Sequence, residues 1–336
     1  MSEIILITGG AGCLGQHIIK HLQQSEGASK IKEIRVLDLV PYEKRLEYKE
    51  RFPVKSVIGD ICTVDSNLKE AFKDVHTVFH CAAFISISFP PKIEQLERVN
   101  VTGTENVLNL CIENNVKFLI YTSDILVTLI PFTKMGMFGA ITVALRFPIM
   151  YGEEDRTCFT KLIELSEKWN GQIPKIAGDG GKHQLIYAGN AAWGHICARN
   201  TLLSESPEKV AGLPVSLTDE SPIYDITRFA NVMIARNSDV LKIRPSSWKI
   251  PFLVGFILAM IYEFFVGLLN KVTGYQLDYS PKIMISYCGS LTLSRMRASI
   301  QMDYDPPYTP EDAMKQSAKW YEKWYLEEFK VKKKAT

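Results

Sequence analysis

The stretch Ile4-Ile5-Leu6-Ile7-Thr8-Gly9-Gly10-Ala11-Gly12-Cys13-Leu14-Gly15 decides the fold. Four apolar residues in a row read as a buried strand. Gly9, Gly12 and Gly15 follow at three-residue spacing. His17-Ile18-Ile19-Lys20-His21-Leu22 then opens a helical pattern with Ile18, Ile19 and Leu22 on one face. Strand, glycine turn and helix in that order read as a dinucleotide-binding turn. The first glycine serves the tight turn, the second admits the pyrophosphate, and the third lets the helix pack closely on the strand. The helix N-terminus offers free N–H groups and a positive dipole end to phosphates. Three glycines alone would also fit an ordinary strand-to-helix turn.

The next strand weighs against that plainer reading. Ile34-Arg35-Val36-Leu37-Asp38 is a β-type run ending in an acid, twenty-three residues after Gly15. A carboxylate there accepts hydrogen bonds from ribose hydroxyls and repels a 2′-phosphate. Asp38 therefore predicts NAD over NADP, a preference that Arg35, Lys44 and Arg45 soften.

Working outward, 336 residues are enough for a large core, as one large or two modest domains. A net charge of +2 with 23% charged residues gives no nucleic-acid signal. Seven cysteines form no C-x-x-C pair, and they read as reduced thiols. Six histidines show no metal-ligand spacing, so no metal is expected. The chain enters its first strand without a charged-then-apolar leader, and no cleavable signal is expected.

Residues 54–58 read as a third strand, followed by Gly59-Asp60-Ile61. Residues 65–73 read as a short helix capped by Asp65. Residues 75–81 form a fourth strand ending His80-Cys81-Ala82-Ala83, where small side chains leave room for a ligand. Asn100-Val101-Thr102-Gly103-Thr104 opens a helix expected to turn Val101, Val107, Leu108 and Cys111 to the sheet. Residues 117–122 are a fifth strand and residues 140–147 a sixth. Such β/α alternation predicts an α/β, doubly wound parallel sheet, a Rossmann fold.

These motifs, with Tyr121-Thr122-Ser123 and Leu145-Arg146-Phe147-Pro148, occur in the order seen in extended short-chain dehydrogenases. Tyr187-Ala188-Gly189-Asn190-Ala191-Ala192-Trp193 and the tail from Met302 to Trp320 resemble the 3β-hydroxysteroid dehydrogenase/isomerase branch. The front half also resembles sugar-nucleotide epimerases and dihydroflavonol reductases, which stay as enzyme alternatives. The resemblance implies hydride transfer between NAD and a secondary alcohol or ketone on a hydrophobic substrate such as a steroid. It carries Gly9, Gly12, Cys13, Leu14 and Gly15 to the pyrophosphate turn and Asp38 to the ribose. Asp60 and Ile61 go to the adenine edge, and Ala82 and Ala83 to the strand edge beside the cofactor.

The catalytic set does not carry over. The resemblance implies a serine at the end of the fifth strand and a Tyr-x-x-x-Lys helix, whose tuned phenol acts as general acid–base. Asp124 stands at the serine position, with Ser123 one step off and facing the other way. No tyrosine occurs between Tyr121 and Tyr151. Ser123 and Asp124 are all that remain near the expected site, Asp124 has no cation placed to complete a relay, and Lys134 and Tyr151 are the next candidates. A parallel connection needs about a dozen residues or more, usually with a helix, but in the segment around residues 124–140 the piece Ile125 to Phe132 is apolar with no clean helical period. An internally deleted form explains this, and a divergent loop is the alternative.

The expected division is a cofactor domain over residues 1–153 and a substrate domain over 154–336. Residues 159–169 and 191–203 read as helices, 204–214 as a loop, 224–235 as a helix, and 245–251 as a linker. Residues 178–181 read as a turn and 184–187 as a strand. Residues 250–269 are the most apolar stretch, long enough to span a bilayer core of roughly 30 Å, and Lys249 and Lys271 flank it. A buried core helix is the soluble alternative. In the basic tail, residues 330–336, Lys333 and Lys334 resemble a dilysine address of endoplasmic-reticulum membrane proteins. The expectation is association with the cytosolic face of that membrane, by a monotopic or re-entrant segment. A homodimer stays open as the assembly. The non-enzyme alternatives are an NAD-binding protein without chemistry and a non-functional deleted product.

Overall fold

The computed structural model describes residues 3–25, 31–124, 141–176, 181–278, 280–281 and 289–335. The expected turn at 178–181 lies almost wholly outside these residues, and Lys134 lies outside them.

Seven parallel strands form one sheet among the described residues. They are β1 (Glu3–Thr8), β2 (Ile31–Asp38), β3 (Val54–Ile58), β4 (Thr77–His80), β5 (Phe118–Asp124), β6 (Ile141–Phe147) and β11 (Pro214–Ser216). Their order is β3-β2-β1-β4-β5-β6-β11, so the chain winds outward from β1 in both directions. All six residues of β1 are buried, as a central strand covered on both faces requires.

On one face, Ile5, Ile7, Val36, Phe79, Ile120 and Leu145 meet helices α1 (Cys13–Gln24) and α6 (Ala188–Leu202). On the other, Leu6, Val78 and Leu119 meet α2 (Ser66–Phe72) and α4 (Thr104–Glu113). Asp65 caps α2 as its sequence predicts, accepting the Leu68 N–H at 2.8 Å.

The approach to α4 corrects one expectation. Helix α3 (Ile93–Glu97) runs into α4 through a π-helical turn, Arg98–Gly103. The extra residue in that turn rotates the phase of the helix. Gly103, Val107, Leu110 and Cys111 therefore face inward, and Val101 is 53% exposed. Gly103 sits against Ile61, whose Cδ1 lies 2.7 Å from where a Cβ would stand.

A second core gathers Tyr151, Phe159, Tyr187, Phe229, Met314 and Tyr321. It joins β7 (Ile149–Tyr151), paired with β10 (Leu185–Tyr187), which follows the short β9 (Lys182–His183), to helices α5 (Phe159–Lys168), α7 (Ile226–Asn237) and α10 (Pro310–Trp324). The expected linker over 245–251 is instead β12 (Arg244–Ile250), parallel to β8 (Gln172–Ile176). Pro245 is tolerated because a two-stranded pair has only edges and the register shifts between Pro245 and Lys249. The division expected at residue 153 is crossed by the chain, since α6 and β11 return to the first layer.

Helix α8 (Phe252–Thr273) covers the apolar stretch and is long and apolar enough to cross a membrane, with a mean hydropathy of 2.3. Only Gly255, Ala259, Glu263 and Val266 are buried. Their spacing of four, four and three residues marks one narrow inner stripe. Leu253, Phe264 and Phe265 are each more than 60% exposed on the outside. A buried core helix, the soluble alternative, does not fit this exposure. Helix α9 (Met296–Met302) packs back on the first layer through Ala298 and Met302.

Candidate cofactor and active site

The glycine turn between β1 and α1 is shaped by contact distances. Gly9 has φ +70°, and a Cβ there would lie 2.7 Å from the Ala82 nitrogen at the end of β4. A Cβ on Gly15 would lie 2.4 Å from Gly10 Cα, so the third glycine packs the helix on the turn itself. Gly10, which the motif reading passed over, is held to the same standard, because its Cβ would meet Val36 Cγ1 at 2.8 Å. The doubled Gly9-Gly10 was the available signal.

Gly12 differs from the other three. A Cβ there would have one neighbour within 4 Å, the Gly9 carbonyl at 3.3 Å, so space is kept clear above the turn. Gly12 is also the N-cap of α1 and supplies no side-chain cap. The first amides of α1 have no intrahelical partner. Cys13 and Leu14 can serve the site only through their backbone: Cys13 Sγ donates to the Glu153 carbonyl at 3.2 Å and Leu14 is buried.

A cleft of about 260 Å³ opens over this turn. Gly9 and Gly12 form its floor, with Asp38 at the end of β2. Asp60 and Ile61 follow β3, and Ala82 and Ala83 follow β4. The structure thus brings seven of the expected residues to one cleft. Leu39, 69% exposed, and Val99 also line it and were not anticipated. Asp38 Oδ2 accepts the Ala11 N–H at 3.0 Å, fixing the carboxylate against the turn. Asp60 accepts the Cys62 N–H at 2.9 Å and pairs with Arg98 at 2.9 Å. Burial by itself raises the Asp60 carboxyl, but the Cys62 and Arg98 contacts outweigh it and hold it below its usual value. An open Gly12, uncapped helix amides and an acid on the second strand suit a dinucleotide.

The catalytic end is sparser. Ser123 is buried and its Oγ has no hydrogen-bond partner among the described residues. Asp124 is exposed on the opposite face. Arg146 on β6 is in register with Ser123 and shares its face, so this cation stands beside Ser123 and on the side of the sheet away from Asp124. Strand pairing across the crossover brings it there, and linear spacing could not show it. Thr122 bonds His195 Nε2 at 2.9 Å and the Cys81 sulfur at 3.3 Å, tying β5 to α6 and β4. Tyr151 is no candidate acid. It is fully buried, its hydroxyl bonds Ser221 Oγ at 2.8 Å, and burial pushes its phenol far up.

Comparison with known proteins agrees with this geometry. Mouse 3 beta-hydroxysteroid dehydrogenase type 7 is 23% identical over 358 residues, covering 94% of this chain and 95% of the relative. That alignment is longer than the 336 residues of this chain. The rat type 7 enzyme is 24% identical over 94% of each chain. Among solved structures, an epimerase from Methanothermobacter thermautotrophicus superposes with a TM-score of 0.66 at 16% identity, covering 99% of this chain and 95% of that one. UDP-glucose 4-epimerase from Thermus thermophilus, in complex with NAD, gives 0.63 at 16% identity, covering 95% and 99%. At such identities the structural likeness establishes the fold alone. The model of one family matches residues 6–134 and 132–251, two pieces that meet inside the crossover. With the glycine turn, Asp38 and the winding of the sheet, that match places the chain in the 3-beta hydroxysteroid dehydrogenase/isomerase family.

Proposed function

We propose that this chain is an NAD-dependent oxidoreductase of low intrinsic turnover, acting on the CH–OH group of a hydrophobic alcohol such as a steroid. The observation that carries the reading is an imbalance. The cofactor cleft has its turn, acids and small rim residues in place, whereas the only tyrosine that follows the crossover closely, Tyr151, is locked in the second core. Bound NAD would supply the hydride acceptor as the alcohol becomes a carbonyl. Asp38 would orient its ribose, and the N-terminal amides of α1 would hold its pyrophosphate. Ser123 and Arg146 offer hydrogen-bond donors on the face of the sheet above β5. Asp124 lies on the other face of the sheet, so the hydroxyl proton would pass to water, which fits a low turnover.

A family match in two pieces that overlap at 132–134 is in line with a deletion inside the crossover. The same observation favours a second reading, an NAD-binding protein without chemistry. Calorimetry and NADH production with a hydroxysteroid separate the two. NAD binding with measurable, weak turnover supports the first reading. Binding with no turnover at any enzyme concentration discards it for the second. Absence of NAD binding discards both.

The exposed apolar outside of α8 supports a membrane position. The cofactor cleft and the tail after α10 belong on one side, because α10 packs in the same second core as Tyr151 and Tyr187. Helix α8 therefore lies in one leaflet rather than crossing it, and the resemblance of Lys333 and Lys334 to a dilysine address supports the cytosolic face of the endoplasmic reticulum as its site.

A further inference from the structure

Residues 84–90 leave the cofactor cleft directly after Ala82 and Ala83 and end against the segment that follows α8. At the near end Asn100 grips the backbone twice. Its Oδ1 accepts the Phe84 N–H at 2.8 Å, and its Nδ2 donates to the Phe84 carbonyl at 2.9 Å. At the far end Phe89 and Leu277 exchange both backbone bonds, at 3.0 and 2.8 Å, as an isolated antiparallel bridge. The Ser280 N–H donates to the Ile87 carbonyl at 2.6 Å. Ser280 also donates its hydroxyl to Glu263, the buried acid on the inner stripe of α8. Glu263 therefore holds α8 to the body while the apolar outside stays free.

We propose that residues 84–90 are a strap through which a lipid surface, bound by the outer face of α8, acts on the cofactor cleft. The proposal rests on the monotopic reading above. The chemistry on the page selects the occupant. The outer face is aliphatic and aromatic, Lys271 lies exposed at one end, and the acid within the helix points away from that face. A bilayer with some anionic headgroups matches this arrangement. The strap is held by a few backbone bonds at two points, so its position follows whatever fixes α8 and Leu277. Restraint of a cleft rim before a ligand arrives lowers what the ligand must order. By linkage, the cofactor must strengthen membrane binding by the factor with which the membrane strengthens cofactor binding.

The test uses the full chain, NADH, and vesicles of phosphatidylcholine carrying a minority of phosphatidylserine. Vesicles are expected to tighten NADH binding by about 5-fold or more, within the usual range of such couplings. NADH is expected to tighten vesicle binding by the same factor. Ser280→Ala should keep both binding reactions while the coupling factor falls toward one. If the unaltered chain sediments with vesicles but binds NADH equally well with and without them, the strap proposal is overturned and the membrane reading stands. If the chain does not sediment with vesicles, the membrane reading falls and takes the strap with it. The unaltered chain decides the matter even should Ser280→Ala fail to fold.

Discussion

At the scale of single residues, glycines of one motif carry opposite burdens. Gly12 keeps space clear for a ligand, whereas Gly9 satisfies a left-handed backbone and a contact with Ala82. Gly12→Val should lower the thermal midpoint less than Gly9→Val does and should abolish NAD binding in calorimetry. Gly9→Val should destabilise the fold itself, by about 1–3 kcal/mol for the backbone conformation alone with the Ala82 clash added. A Gly12→Val chain that still binds NAD normally would show that the cleft is not the pyrophosphate site. Asp38 is already fixed by the Ala11 N–H, so its charge is placed before any ligand arrives. Asp38→Ala should narrow the preference for NAD over NADP. Equal binding of the two cofactors by the unaltered chain would discard that role.

At the scale of elements, the crossover from β5 to β6 and helix α8 govern chemistry and location. Asp124 ends β5 and Ile141 begins its parallel neighbour, so residues 125–140 must return the full length of the sheet. A helix covering about 20 Å takes about 13 residues, which leaves almost none for the turns. Inserting a family-type segment with Tyr-x-x-x-Lys after Ser123, together with Asp124→Ser, should raise hydroxysteroid oxidation by about 10²-fold or more. Ordinary turnover by the unaltered chain, unaffected by Asp124→Asn, would mean the catalytic groups lie elsewhere. For α8, glycosylation acceptor sites engineered near the C-terminus should stay unmodified in microsomes. Their efficient modification would establish a true span.

At the scale of the whole molecule, acid is the expected weakness. Burial lowers His17 to about 3 and lowers His21, His80 and His195 to about 4. The unfolded chain takes up these protons near pH 6.5 while the folded chain refuses them. Stability is therefore complete above that pH and is lost as pH falls from about 6.5 toward 4. At on the order of 3 kcal/mol per histidine, four of them together rival the usual net stability of a domain. Glu3 acts later. Burial alone would raise its carboxyl, but hydrogen bonds from His76, Arg199 and Thr77 outweigh burial and hold it at about 2. Its contribution is lost only as pH falls from about 4.5 toward 2. The urea midpoint should fall steeply between pH 6.5 and 4, ahead of carboxylate protonation. A midpoint unchanged from pH 7 to 5 would contradict this.

The sequence by itself determined the winding of the sheet, the place of the glycine turn and the absence of a Tyr-x-x-x-Lys motif. Those features are local: a glycine that must lack a Cβ, an acid at a strand end, and a period of two or 3.6 are written in consecutive residues. Only the tertiary structure decided that Arg146 stands beside Ser123, that Tyr151 is core, and that Gly10 is as constrained as Gly9. It also decided that residues 244–250 form a strand, because their partner at 172–176 lies some seventy residues earlier in the chain. Strand register, helix phase after a π turn and the inner stripe of α8 arise from contacts between distant segments. Linear spacing does not encode which segments meet, because packing free energy is summed over partners that sequence order leaves far apart.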